Sequence, residues 1–210
     1  MEDKIRYIQE KIAELKILIT EEQAMQLYQY YKILVEKNKV MNLTGITEFE
    51  EVVQKHFVDS LSLVWIEKMD SVDKLIDVGT GAGFPGIPLK IVYPHLQVTL
   101  LDSLNKRVLF LQEVVEICKL SGVETVHGRA EDIAKDAKYR EKYDICVSRA
   151  VANLAVLSEY CLPFVKIKGS FVAYKSGDVK LEVEGAKRAI ELLGGKIEKE
   201  QEFVLPGSDI

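Results

Sequence analysis

With 210 residues the chain has room for one α/β domain and a short extension, but not for two large domains. Its hydrophobic content of 48% and charged content of 29% are typical of a globular protein, and no apolar run reaches the roughly 18 residues that a membrane span needs. The net charge of −5 argues against a protein that grips nucleic acid with its whole surface, but it allows a local basic patch.

The amino-terminal segment lacks the apolar centre and cleavage site of a signal peptide, so we expect a cytoplasmic protein. Cys118, Cys146 and Cys161 are odd in number, lie in apolar stretches and form no Cys-x-x-Cys pair. The three histidines are scattered as well. We therefore expect core cysteines and no metal.

The first 70 residues predict a helical extension. Apolar residues recur at spacings of three and four over residues 4–37, and the capping-box pair Thr20 and Gln23 divides this stretch into two helices. Residues 38–47, rich in Asn, Thr and Gly, predict a loop. A further amphipathic helix is predicted over 50–68, ending near Asp70.

Residues 71–210 predict the core domain. Strand and helix patterns alternate there, which is typical of βαβ units and a parallel sheet. Helices are predicted at 86–92, 105–120, 153–163 and 178–193, and strands at 74–78, 97–101, 124–127, 143–148, 169–175 and 196–205. We therefore predict a Rossmann-like α/β sheet with helices on both faces.

A glycine-rich turn follows the first strand, in the segment KLIDVGTGAGFPGIPLK. Without side chains at Gly79, Gly81 and Gly83, the backbone can turn tightly and a ligand can lie against it. Residues 81–86 match GxGxxG literally, which is weak evidence for a dinucleotide. About 20 residues on, Asp102 ends the second strand, where a carboxylate can accept both ribose hydroxyls in nicotinamide and S-adenosylmethionine enzymes alike.

Three features favour S-adenosylmethionine. Asp77 puts a carboxylate beside the glycine turn, where a sulfonium or ammonium is favourable and a pyrophosphate is not. Ala130, Glu131 and Asp132 follow strand three, where an adenine amino group needs acceptors. The compact spacing leaves no separate hydride-acceptor domain, although a nicotinamide dehydrogenase stays an alternative. Capping of a turn or helix is the other explanation of Asp77 and Asp132.

The loop after strand four, Ser148-Arg149-Ala150, bears on the methyl acceptor. Methyltransferases of exocyclic amines usually place Asn or Asp and two prolines there, and cytosine C5 methylation needs an exposed cysteine, whereas Cys146 lies within the strand. Guanine N7 already carries a lone pair and loses no proton, so alignment with the methyl group suffices. The loop is compatible with N7 chemistry.

Taken together, these residues resemble the RsmG family, also called glucose-inhibited division protein B, bacterial methyltransferases of guanine N7 in small-subunit (16S) ribosomal RNA. The resemblance runs along nearly the whole chain. It includes Asn42-Leu43-Thr44, His56 with Asp59-Ser60-Leu61, DVGTGAGFPGIPL, Asp102-Ser103 with Lys106-Arg107, Gly128-Arg129-Ala130-Glu131 and Ser148-Arg149-Ala150-Val151-Ala152.

The resemblance implies an S-adenosylmethionine-dependent enzyme acting on small-subunit ribosomal RNA or a ribosomal particle. Phe84 would lie near the methionine portion, and Arg149 would position the substrate at the mouth of the site, with no general base required. A surface salt bridge is the alternative for Arg149. With Gly81 of the glycine turn, the expected cofactor contacts are Gly79, Gly81, Phe84, Asp102, Ser103, Ala130, Glu131 and Arg149.

Cations in segments near the carboxyl ends of the strands are expected to bind RNA, with a plain solvated face as the alternative. The strongest candidates are Lys106, Arg107, Arg129 and Lys175, and the wider set adds Lys37, Lys39 and Arg149.

The family also has a further hydrophobic strand, whereas this sequence reaches LPGSDI. We therefore expect the last strand to be missing and the strand at 196–205 to be weakly held. A methyltransferase of another substrate and an RNA-binding module without turnover stay open as alternatives.

Overall fold

The computed structural model describes residues 1–149 and 152–206. Ala150 and Val151, in the loop predicted after strand four, lie outside this part, as do residues 207–210 of the expected core domain. No helix of the described residues is long and apolar enough to cross a membrane. Within the same ranges no group of three or more His, Cys, Asp or Glu side chains is placed to hold a metal ion.

The core is a parallel sheet of five strands in the order β3-β2-β1-β4-β5. The strands are β1 (Lys74–Val78), β2 (Gln97–Asp102), β3 (Val123–His127), β4 (Tyr143–Arg149) and β5 (Val165–Tyr174). The helices between and after them are α5 (Gly86–Val92), α6 (Asn105–Ile117), α7 (Ala130–Ile133), α8 (Leu154–Cys161) and α9 (Lys180–Leu192).

Neighbouring residues of each central strand enter two different hydrophobic clusters. Leu75 and Leu100 pack with α5 and α6 on one side of the sheet, whereas Ile76 and Leu101 pack with α7 and α8 on the other. Since successive side chains of a strand point to opposite faces, both faces are covered. The predicted Rossmann-like α/β fold is confirmed.

β5 begins four residues earlier than predicted. Its pairing with β4 shifts in register between Tyr143 and Ile145, and Lys168 has a φ of 70°. A Cβ at Gly169 would lie 2.6 Å from the Asp144 carbonyl oxygen. The glycine therefore marks an irregular point inside the strand and not its beginning.

The prediction of a strand at 196–205 is wrong, because no described residue of this segment is in a strand. The segment runs back over the amino-terminal extension, where Phe203 packs edge-on against Trp65 with ring centroids 4.3 Å apart. Lys199 Nζ donates to the Trp65 carbonyl at 3.0 Å, and Gln54 donates to the Pro206 carbonyl. Alternating apolar residues predict that one side of a segment is buried, but not what it packs against. Here it packs against the 3-10 turn that contains Trp65.

The extension begins with α1 (Glu2–Ala13) and α2 (Glu21–Met41), and the predicted capping box is present at Thr20 and Gln23. The Gln23 side chain accepts from the Thr20 amide at 2.9 Å and also donates to the carbonyls of Ile91 and Val92 at 2.9 and 3.0 Å. One glutamine therefore starts α2 and caps the end of α5, which ties the extension to the sheet domain.

The helix predicted over 50–68 is not regular. It begins as α3 (Phe49–Val52), widens into a π-helix (Val53–Val58), continues as α4 (Asp59–Leu61) and ends in a 3-10 turn (Ser62–Trp65). We call this run the composite helix. Phe57 of its π-helix and Phe84 of the glycine loop belong to one hydrophobic cluster, so the extension and the sheet share a core. The boundary near residue 70 stays a prediction.

Candidate active site

The glycine loop leaves β1 at the carboxyl edge of the sheet. The amides of Gly79 and Thr80 donate to the Leu101 carbonyl at 2.8 and 3.1 Å, and Gly79 and Gly81 have φ values of 70° and 62°. A Cβ at Gly81 would meet only the Gly79 carbonyl oxygen, at 3.9 Å. The loop therefore has a bare backbone face against which a ligand can lie.

The far side of this loop is tightly packed. A Cβ at Gly86, the first residue of α5, would lie 2.4 Å from Leu100 Cδ2 and 2.9 Å from Asp77 Oδ2. Glycine at this position lets α5 approach the sheet closely, so glycines line both the ligand side and the packing side of the loop.

Asp77 is fully buried under the loop. Its Oδ2 accepts hydrogen bonds from Thr80 Oγ1 at 2.7 Å and from the Gly86 amide at 2.8 Å. These bonds cap the turn, which is the structural role that the sequence left open for Asp77. Its Oδ1 is buried without a hydrogen-bond partner among the described residues. Burial raises the pKa of the carboxyl to about 6, so a positive or hydrogen-bonding ligand nearby would stabilise its charge.

Asp102 ends β2 beside the loop. Its Oδ2 accepts from the Gly81 amide and its Oδ1 from the Leu104 amide, both at 2.9 Å, and its side chain is 2% exposed. Arg107, expected to contact RNA, lies with Nη1 3.4 Å from Asp102 Oδ2. Two carboxylate oxygens offer about four acceptor positions, so Asp102 retains capacity for a hydroxyl group.

The other expected cofactor residues lie at the ends of β2 and β3. The carbonyl of exposed Ser103 lies 3.1 Å from His127 Nε2, which ties these two strand ends together. Ala130 is buried and Glu131 is exposed in the first turn of α7. Asp132 forms an exposed ion pair with Lys135, and this is a surface role.

Arg149, at the end of β4, is held by the composite helix. Its Nη1 lies 2.6 Å from Asp59 Oδ2 and donates to the Lys55 carbonyl at 3.2 Å, while its Nη2 lies 3.3 Å from His56 Nδ1. The arginine side chain is 17% exposed. Arg149 does form a salt bridge, as the alternative explanation expected. However, the Arg149–Asp59 pair is half-buried, and Arg149 also contacts Lys55 and His56.

Phe84 connects the glycine loop to the same helix. Its ring stacks on His56 with centroids 4.4 Å apart, packs against Tyr30 at 5.3 Å, and lies 5.1 Å below the Arg149 guanidinium carbon. The Tyr30 hydroxyl donates to the Ala82 carbonyl within the loop. Two residues of the extension, His56 and Tyr30, therefore contact the Phe84 ring.

Sequence reasoning gave no role to the extension residues of this site. Thr44, His56 and Asp59 were identified only as part of the family resemblance, and Asn38 was not identified as a site residue. The Asn38 side chain accepts from the amides of Leu43 and Thr44 at 2.6 and 2.9 Å, and Thr44 Oγ1 lies 2.9 Å from His56 Nε2. The available signal was a histidine among the apolar residues Val52, Val53, Phe57 and Val58 of the predicted helix.

The expected RNA-binding cations differ in their surroundings. Lys106 and Arg129 are exposed and form no ion pair with other described residues. Lys175 is 19% exposed, and its Nζ lies 2.6 Å from Glu182 Oε1 and 2.5 Å from the Ala152 carbonyl. Its charge is therefore compensated within the protein, as is that of Lys37 by Glu113.

The donor and acceptor set fits the expected cofactor. A bare backbone face, a carboxylate oxygen of Asp77 without a partner and a carboxylate at Asp102 suit a cationic ligand that carries hydroxyl groups. The carboxyl ends of β1, β2 and β4, which lie side by side, bring these groups and Arg149 to one edge of the sheet.

Solved structures share this fold at low sequence identity. The ribosomal protein L11 methylase of Lactobacillus delbrueckii subsp. bulgaricus is 15% identical, with a TM-score of 0.55 over 70% of this chain and 72% of that chain. The M. jannaschii TYW2 structure in complex with AdoMet is 17% identical, with a TM-score of 0.55 over 70% and 66%.

Curated relatives are much more similar. The ribosomal RNA small subunit methyltransferase G of Lachnoclostridium phytofermentans is 52% identical over all of this chain and 86% of its own length, and that of Acetivibrio thermocellus is 56% identical over 91% and 78%. The family model described as GidB, rRNA small subunit methyltransferase G, matches residues 23–206. The chain therefore belongs to the rRNA small subunit methyltransferase G family, as its resemblance to RsmG predicted.

Proposed function

We propose that this protein transfers a methyl group from S-adenosylmethionine to N7 of a guanine in 16S (small-subunit) ribosomal RNA. The observation that carries the proposal is the family membership, at 52% identity over the whole chain, in relatives named for methylation of small-subunit ribosomal RNA. The bare glycine loop beside Asp102 supports the proposal, because a nucleoside ligand could lie against it.

Different residues at the edge of the sheet would bind different parts of the cofactor. The backbone of Gly79 and Gly81 would lie against the cofactor, and Asp102 would accept hydrogen bonds from its ribose hydroxyls. The end of β3, with Ser103, Ala130 and Glu131 nearby, would surround the adenine. Asp77 adds a negative charge beneath the loop, which favours a cationic ligand.

When bound, S-adenosylmethionine supplies a methyl group whose bond to sulfur breaks as the N7 lone pair forms the new bond, so the positive charge passes from sulfur to guanine. No proton leaves the acceptor, and the protein therefore needs no general base. Phe84 and Arg149 would hold the two reacting groups in line. Arg149 acts in this scheme by positioning.

The buried state of Cys146 favours N7 chemistry over cytosine C5 methylation. The thiol is fully buried, and burial raises its pKa well above the usual value, so a reactive thiolate is disfavoured. A methyltransferase of another substrate, or an RNA-binding module without turnover, is the alternative. We place the reaction in the cytoplasm, where a ribosomal RNA substrate is made.

Methyl transfer in a purified system tests the proposal. The protein is incubated with labelled S-adenosylmethionine and either unmodified small-subunit ribosomal RNA or small-subunit particles, and the nucleosides are identified by mass spectrometry. We expect 7-methylguanosine in at least one of the two substrates. Label in a different nucleoside would favour another methyltransferase, and binding of RNA without label would favour the module.

A further inference from the structure

Arg149 sits in a cage made by residues from two parts of the chain. Asp59 and His56 come from the composite helix, and Phe84 comes from the glycine loop. We call these three side chains the Arg149 cage. Asp59 has no other hydrogen bond from its side chain among the described residues, so its contact with Arg149 is its main interaction.

We propose that Asp59 is a positioning residue for methyl transfer, which holds the Arg149 guanidinium at the mouth of the cofactor site and neutralises its charge. This inference rests on the proposed function, because it concerns the efficiency of that reaction.

The hydrogen bonds of the cage leave part of the guanidinium available. Arginine has five N–H donors in a rigid plane. Nη1 donates to Asp59 and to the Lys55 carbonyl, and Nη2 faces His56. Nε and the second Nη2 proton receive no acceptor from the described residues, so one edge of the group can bind a substrate oxygen while the other is anchored.

The shape of the composite helix brings the anchor groups together. Residues 53–58 form a π-helix, in which the Asp59 amide donates to the Gln54 carbonyl five residues earlier. Single π-turns are rare and occur frequently at functional sites. Here the widened turn carries His56 and leads directly into Asp59, so two side chains and one carbonyl face the same guanidinium.

The second effect of Asp59 is to neutralise the positive charge of Arg149. The reaction transfers a positive charge to guanine, and an uncompensated arginine beside it would oppose that change. The Asp59 carboxylate at 2.6 Å makes the pair neutral. His56 adds no charge near neutral pH, because burial and the neighbouring Arg149 lower its pKa to about 4.

A double-mutant cycle tests the inference. Asp59→Asn, Arg149→Gln and the combined variant are compared for kcat and KM on small-subunit ribosomal RNA, affinity for S-adenosylhomocysteine and thermal midpoint. Asp59→Asn is expected to lower kcat about tenfold through misplacement of Arg149, with little change in the midpoint. In the Arg149→Gln background the same change should cause no further loss of kcat.

Glu51→Gln is the matched control. Glu51 lies on the same composite helix and forms an ion pair with Lys55, but this pair faces solvent, so kcat should not change. Asp59→Glu keeps the charge and should retain more activity than Asp59→Asn. If Asp59→Asn does not fold, the cycle is run with Asp59→Ser, which removes the carboxylate without adding volume.

The outcomes separate the two proposals. Coupled losses of kcat support the positioning role, whereas additive losses, or an unchanged kcat in Asp59→Asn, overturn it and leave the proposed function standing. A loss of kcat that follows the thermal midpoint across the variants also overturns it. Absence of methyl transfer to RNA by the unmodified protein would contradict the proposed function itself.

Discussion

The backbone amide of Gly81 donates a 2.9 Å hydrogen bond to Oδ2 of Asp102. This bond joins the loop after β1 to the end of β2, the two segments between which a nucleoside binds in sheets of this type. The same carboxylate therefore shapes the loop and is available for ligand hydroxyls. Both cofactor binding and the conformation of the glycine loop should therefore depend on the Asp102 side chain.

Asp102→Ala should weaken binding of S-adenosylhomocysteine by about 1–3 kcal/mol, because it leaves ligand hydroxyls and the Gly81 amide without an acceptor. Asp102→Asn keeps an acceptor for that amide and should lose less. Calorimetric titration measures both, and an unchanged affinity in the alanine variant would remove Asp102 from the site.

Asp77 should make the folded protein less stable as the pH rises from about 4 to 6. Burial raises the pKa of this carboxyl from 3.8 to about 6, so the folded protein retains a proton that the unfolded chain releases. The contribution of this group to stability is complete below pH 3.8 and is lost as the pH passes 6. Asp77→Asn has no such proton to lose.

Relative to the unmodified protein, the free energy of unfolding of Asp77→Asn should therefore rise by about 2 kcal/mol between pH 4.5 and 7.5. Urea denaturation at the two pH values measures this difference. Asp132→Asn, which changes an exposed carboxylate, is the control and should show a much smaller effect. A difference for Asp77→Asn that does not vary with pH would mean that its carboxyl titrates normally in the folded state.

Two glycine substitutions should have opposite effects on stability. Gly86→Ala places a Cβ 2.4 Å from Leu100 Cδ2 and should destabilise the fold by about 1–3 kcal/mol. Gly185→Ala lies in the exposed middle of α9, where a Cβ meets nothing within 4 Å, and should stabilise it by about 0.5–1 kcal/mol. Equal changes of the thermal midpoint would show that α5 has room to move away from the sheet.

RNA binding should depend only moderately on salt. Four of the seven cations expected near the site are in ion pairs with Glu113, Asp102, Asp59 and Glu182. If the other three, Lys39, Lys106 and Arg129, contact phosphates, log affinity should fall with log salt at a slope of about −2 for single-stranded RNA. A slope near zero would place the RNA-binding surface elsewhere, and one near −5 would mean that the ion pairs open on binding.

Local signals in the sequence were sufficient for most of the fold. α5 has the predicted bounds, β1 is confirmed residue for residue, and the Thr20 capping box begins α2 as expected. Each of these depends on neighbours in the chain: an apolar run, a glycine turn, or a cap three residues from its partner.

The rest depended on contacts between distant segments. The alternating pattern at residues 196–205 predicted a strand, but Phe203 packs against Trp65 instead. Trp65 is far away in the chain, so no local sequence pattern could indicate this contact. Arg149 and Asp59 are 90 positions apart, so their ion pair follows from the register of β4 against the composite helix. The sequence therefore indicated Arg149 as a site residue, but not the residues that hold it.

A mass map of methylated guanines in small-subunit ribosomal RNA, from cells with and without the gene, shows whether this protein forms 7-methylguanosine there. Restoring the gene with Asp102→Ala serves as the control for cofactor-dependent activity. We expect one 7-methylguanosine to disappear when the gene is removed, to return with the unmodified gene, and to return to a smaller extent with Asp102→Ala. An unchanged set of 7-methylguanosines, or loss of a methyl group from an exocyclic amine or a cytosine instead, would contradict it.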